Sequence, residues 1–142
     1  MKWPILTFAL CLSLFSIDVY AQQNLSTFLP GEWFLNNAEY PLGGKMVISN
    51  CTILVCDFNL QSWYNSHICD IDGKLNIKED YAEYENQKYK YDKKTDTEYF
   101  VSVGFLLEIT KNNDISIRYS NEDSYNEFCG LNATVEGIWA KR

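Results

Sequence analysis

The sequence predicts an antiparallel all-β domain of about eight short strands, closed or nearly closed into a single small barrel, with a two-sheet sandwich as the alternative. The first observation is a period-two pattern around the stretch Cys56–Gly73. Cys56, Phe58 and Leu60 alternate with Asp57, Asn59 and Gln61; further on, Cys69, Ile71, Leu75 and Ile77 alternate with Asp70, Asp72, Lys74 and Asn76. Successive side chains of a strand point to opposite faces, so each run reads as a half-buried strand and the two together as a hairpin. The second observation is the spacing of short strands and turns along the rest of the chain, which favours all-β over a mixed fold. The third is cysteine usage suited to a small exported domain held by disulfides.

Export is expected from the first residues. Lys2 precedes an apolar run from Trp3 to Phe15, and Val19-Tyr20-Ala21 ends it with the small-x-small spacing of a signal-peptidase site. Residues 1–21 read as a cleaved secretory signal, and no other apolar run approaches membrane-spanning length. Residues 22–142 are then one domain with one core, in the periplasm or outside the cell. Of the five cysteines, Cys11 leaves with the signal and Cys51, Cys56, Cys69 and Cys129 remain. An even number in an exported chain reads as two disulfides, the alternative being one bridge beside free thiols. If the hairpin folds back through Gln61–Ser66, Cys56 and Cys69 lie opposite each other on the inward face, which pairs them and leaves Cys51 for Cys129.

Taken in order, Pro30-Gly31 turns the chain into a first strand at Glu32-Trp33-Phe34. Gly31-x-Trp33 resembles the opening of lipocalin-like barrels, in which the tryptophan plugs one end. Pro41-Leu42-Gly43-Gly44 is a turn, Lys45–Ile53 a second strand, and Val55–Gln61 the first arm of the hairpin. His67, the only histidine, has no thiol or second histidine placed to work with it. It reads as a cross-strand side chain near the hairpin tip rather than a general base or metal ligand. Asp70, Asp72 and Gly73 have some of the content of a calcium loop, but the glycine comes too early and strand alternation runs straight through them. Tyr81-Ala82-Glu83-Tyr84 finishes another strand. Lys88–Asp96 is too polar for a core element and reads as an exposed loop or hairpin tip. Tyr89 and Tyr91 stand there among charges, as tyrosines do on adaptable protein-binding surfaces. Tyr99–Thr110 is the most apolar strand, with Val101, Val103, Phe105, Leu107 and Ile109 on one face and Phe100 and Leu106 on the other. Lys111–Asp114 is a hairpin turn, and Ile115, Ile117 and Tyr119 return the next strand. Ser120–Phe128 is a polar, irregular loop, and Ala133–Trp139 is the closing strand.

The formal net charge is −7, and it survives cleavage because Lys2 and Asp18 leave together. An acidic domain is repelled by nucleic acid and anionic lipid and attracted to basic proteins or cations. The sequence contains no Gly-x-Ser-x-Gly, P-loop, dinucleotide fingerprint or His-Glu-x-x-His, and no cysteine pair with zinc-site spacing and histidine support. No residue is nominated as catalytic or metal-ligating, no cofactor is implied, and the chain reads as a non-enzyme. The triplets at Asn24, Asn50 and Asn132 are glycosylation acceptors only in a eukaryotic secretory route.

A combination of motifs carries a family resemblance: Cys56-x-Phe58, His67-x-Cys69 with Gly73, Ala82-x-Tyr84, and Cys129-Gly130-x-x-Ala133-x-x-x-Gly137-x-Trp139. It resembles small exported bacterial β-domains associated with lysozyme-inhibitor proteins of the LprI type, over about residues 56–141. Two features depart from that pattern. Neither the long apolar strand nor Ser124–Phe128 holds the cysteine that members often carry there, and the Ser-Gly-x-x-Tyr loop of periplasmic inhibitors of C-type lysozyme is absent. The expectation is a secreted or periplasmic protein-binding module, an inhibitor of or immunity protein against a basic cell-wall hydrolase. Asp92, Asp96, Glu122 and Asp123 would face the partner's basic cleft, with Tyr89 and Tyr91 as anchors. The alternative is a lipocalin-like carrier whose barrel holds a small apolar ligand.

Overall fold

The computed structural model describes residues 25–36, 39–129 and 133–142; the expected signal at residues 1–21 lies outside them, as do Asn24 and Asn132. Eight antiparallel strands follow one another around a closed barrel. They are β1 (Gly31–Leu35), β2 (Leu42–Ser49), β3 (Val55–Tyr64), β4 (His67–Ile77), β5 (Tyr81–Asp92), β6 (Thr97–Ile109), β7 (Ile115–Tyr119) and β8 (Gly137–Lys141). Each pairs with its neighbours in sequence, and β8 returns to β1 through Trp33↔Lys141, Phe34↔Ala140 and Leu35↔Trp139. Closure leaves no sheet edge at that seam, which is how a small all-β chain avoids edge-to-edge association.

The alternation anticipated in β3 and β4 holds: Cys56, Phe58, Leu60, Cys69, Ile71, Leu75 and Ile77 point inward and are buried. Trp33 and Trp139 are fully buried inside the barrel. Each indole N–H donates to a carbonyl four residues earlier, Trp33 to Leu29 at 2.8 Å and Trp139 to Val135 at 3.0 Å, so neither leaves a buried donor unpaired. Gly104 of β6 is a position where a side chain has no room. A Cβ there would stand 2.0 Å from the Tyr84 carbonyl oxygen and 3.2 Å from the Glu85 Cα, both backbone atoms.

One inward hydroxyl lacks a partner among the described residues. Ser62 Oγ, opposite Cys69 in the β3–β4 ladder, is fully buried and makes no hydrogen bond. A buried polar group left unpaired costs about 1–3 kcal/mol. Ser62→Ala is therefore expected to raise the unfolding free energy by about 1 kcal/mol, read as a higher denaturant midpoint at unchanged slope. A fall of similar size would show that the hydroxyl is satisfied.

The disulfide pairing differs from the expectation. Cys51 is bonded to Cys56, and Cys69 to Cys129. The reversal is shorter than the expected Gln61–Ser66 and sits at its far end. β3 runs on to Tyr64, and the turn is Asn65-Ser66, with Asn65 at φ 53°. In that register Cys56 lies opposite Leu75 and Cys69 opposite Ser62. The two sulfurs share the inward face but stand about 20 Å apart along the strands, at about 3.3 Å per residue. Cys56 bonds backward into the turn after β2, and Cys69 reaches the segment that precedes β8.

Ser120–Phe128 is also not an irregular loop. Glu122–Phe128 is a short helix, α1. Asn121 Oδ1 accepts the Ser124 N–H at 2.9 Å as its N-cap, and Glu122 and Asp123 place negative charge in the first turn, where the helix dipole favours it. So short a helix is not stable from propensity alone. Its anchors are Ser124 Oγ, which accepts the Gly104 N–H at 2.8 Å, the Phe128 ring packed among Tyr84, Phe105 and Tyr119, and the Cys129 disulfide just beyond its end.

Candidate functional site: an aromatic ribbon beside a split in the barrel wall

β5 and β6 pair continuously from Tyr81↔Glu108 to Asp92↔Thr97, whereas β7 meets β6 only between Phe105 and Ile109. The upper part of the β5–β6 hairpin therefore stands beyond the barrel as a two-stranded ribbon. Most of the segment 88–96, expected as a loop or tip, is strand; only Lys93–Asp96 forms the turn, with Asp96 at φ 53°. Alternation sorts the ribbon's side chains. Lys88, Lys90, Val101 and Tyr99 share the face of Ala82 and Phe105, and Tyr89, Tyr91 and Phe100 lie on the opposite, outer face. Tyr89 and Phe100 are direct cross-strand partners in edge-to-face contact, with ring centroids 5.5 Å apart. Phe100 keeps 68% of its surface exposed, and Tyr89 and Tyr91 about half.

The expected acidic contact residues do not form one surface. Tyr91 donates its hydroxyl to Asp96 Oδ1, and Asp92 Oδ1 accepts the Lys94 N–H at 2.8 Å, so both tip carboxylates serve the hairpin itself. Asp123 sits at 2.9 Å from Lys90 Nζ, which also meets Glu127 at 3.1 Å. These contacts fix α1 over the face of the ribbon opposite the aromatic one, and Asp123 with its neighbour Glu122 goes with it. Tyr89 and Tyr91 thus share a face with Phe100, and not with Glu122 or Asp123.

The same contacts set the local titrations. The Asp123 carboxylate, then that of Glu127, holds the Lys90 ammonium above its usual range. The Lys94 amide holds Asp92 below the carboxylate range. The bond to Asp96 pushes the Tyr91 phenol up, and partial desolvation acts in the same direction. A raised tyrosine pKa stabilises the fold below pH about 10 and is lost as pH rises through the folded value. Asp96→Asn is expected to bring the Tyr91 phenolate transition down toward the ordinary tyrosine range in an absorbance titration; an unmoved transition would show that Asp96 is not its cause.

Beside the ribbon the barrel wall is split. β4 and β5 pair only at Asn76↔Glu83 and Ile77↔Ala82, then diverge. α1 and the Cys69–Cys129 bond bridge the opening. Below them lies a cleft of about 260 Å³ lined by Asp70, Ile71, Asp72, Tyr84, Asn86, Lys88, Glu127 and Phe128. Asp70, Asp72 and Gly73, which carry some of the content of a calcium loop, all lie within strand β4. Asp70 accepts the side-chain amides of Asn59 and Gln61, each at 3.2 Å. His67 opens β4 opposite Tyr64, exposed beside the turn.

Compared with family models, with curated proteins and with solved structures, the chain matches none. The resemblance to LprI-type inhibitor domains therefore rests on the sequence motifs alone. Both disulfides suit an oxidising compartment, and among the described residues no helix is long and apolar enough to cross a membrane.

Proposed function

We propose that the chain is an exported protein-binding module that inhibits, or confers immunity against, a basic cell-wall hydrolase of the lysozyme kind, and that it grips its partner with the outer face of the β5–β6 ribbon. The observation that carries this reading is the exposed trio Tyr89, Tyr91 and Phe100 on one face of a hairpin that projects from the barrel. Aromatic side chains on a rigid support give large contact area at low entropic cost and are over-represented among the residues that dominate binding energy. The net charge of −7 favours encounter with a basic enzyme.

The test is a turbidity assay in which the mature protein is added to lysozymes and other peptidoglycan hydrolases. A slower clearing rate is expected with at least one of them, and the Tyr89→Ala/Phe100→Ala double variant should lose about 100-fold or more in affinity. Unchanged clearing at large molar excess rejects the inhibitor reading. The carrier alternative fits the packing less well, since Trp33, Met46, Leu60, Phe105 and Trp139 fill the barrel interior, each with no exposed surface.

A further inference from the structure

The split between β4 and β5 leaves strand edges whose hydrogen-bonding direction follows from the bonds at its closed end. The Ile77 N–H donates to Leu54 O at 2.8 Å, on the β3 side, whereas the Lys78 N–H donates to Tyr81 O at 2.8 Å, on the β5 side. Main-chain N–H and C=O groups alternate in direction along a strand. Those of Lys74, Asp72 and Asp70 therefore point away from β3 and into the split. None of the three belongs to the β4–β5 ladder, which stops at Asn76. Native barrels normally pair or cover such an edge. This one borders a cleft.

The chemistry of the cleft selects among partners. Asp70, Asp72 and Glu127 line it against Lys88. The donors at Asp70 are neutral amides, and Glu127 shares its lysine with Asp123, so a negative balance remains. Tyr84 and Phe128 add aromatic surface. We propose that the open β4 edge takes an extended, lysine- or arginine-bearing segment of the partner protein as an added strand. Its basic side chains would stand on the outer face beside Asp70 and Asp72, and its alternate apolar side chains against Tyr84 and Phe128. This rests on the functional reading above only in taking the partner to be a basic protein.

The probe is a capped peptide of roughly eight residues alternating lysine and valine, with an alternating glutamate–valine peptide as control, added to the mature protein while amide exchange is followed residue by residue. The lysine peptide is expected to slow exchange at Asp70, Asp72 and Lys74 by about tenfold or more and the glutamate peptide not to. Asp70→Asn/Asp72→Asn, which alters exposed groups and leaves the core intact, should weaken lysine-peptide binding by about tenfold. Lysine-peptide binding without protection of these amides, or equal protection by both peptides, overturns the proposal. The two readings fail separately. Edge protection with no effect on any hydrolase removes the enzyme target and keeps the edge, and hydrolase inhibition that leaves these amides unprotected keeps the target and removes the edge.

Discussion

Replacing Cys69 and Cys129 together by serine is expected to lower the unfolding free energy by about 4 kcal/mol, the chain-entropy value for the 60-residue separation this bond spans. In a domain of this size that corresponds to a fall of about 10–20 °C in Tm. The loss should be local before it is global. With the tether gone, α1 keeps its cap, the Ser124–Gly104 hydrogen bond, the Phe128 contacts and the Lys90 ion pairs, and partly exposed pairs contribute little. Amide protection in Glu122–Phe128 should therefore fall at temperatures where β2 and β3 remain protected. The Cys51–Cys56 pair is the internal control: its separation is 5, so its removal should cost about 2 kcal/mol by the same rule. Equal losses from the two variants would show that loop entropy does not govern the stabilisation.

Phe105→Ala is expected to cost about 3–5 kcal/mol, the range for deleting a buried aromatic ring. The ring is fully buried and meets Tyr84, Phe58 and Phe128 at centroid distances of 5.2, 5.6 and 6.0 Å. It therefore joins β3, β5, β6 and α1 in one aromatic cluster. Because Phe128 sits at the rim of the split, the cavity should also loosen α1 while the Cys69–Cys129 bond still holds its end. Calorimetry gives the global loss and exchange at Ser124–Phe128 the local one. A cost below about 1 kcal/mol would show that the cluster is not close-packed.

Which face each residue takes is readable in the sequence; its height on the barrel is not. A period of two places Cys56 and Cys69 on the inward side whatever the turn, so alternation in β3 and β4 leads to the right face and the right core. The pairing of the cysteines depends on axial register, and that depends on where within Gln61–Ser66 the chain reverses, which no apolar pattern fixes. Alternation likewise separates Phe100 from Phe105, but the partnership of Phe100 with Tyr89 requires the register set by the Lys93–Asp96 turn. α1 is hidden because seven polar-rich residues carry no helical periodicity; its local traces are the cap Asn121, with Ser124 three residues later, and the acidic first turn at Glu122 and Asp123. The split between β4 and β5 leaves no mark in composition, since the strands on either side of it look like any half-buried pair.

The order of strands around the ring has a kinetic consequence. Every ladder but one joins segments adjacent in the chain, so most pairings close short loops and can form as nascent hairpins. The exception is the β1–β8 seam, which must wait for the last residues to arrive. Until then Gly31–Leu35 and Ile115–Tyr119 each display an unsatisfied margin at once, and a chain stopped short of Gly137 would keep both, available to a second molecule in the same condition.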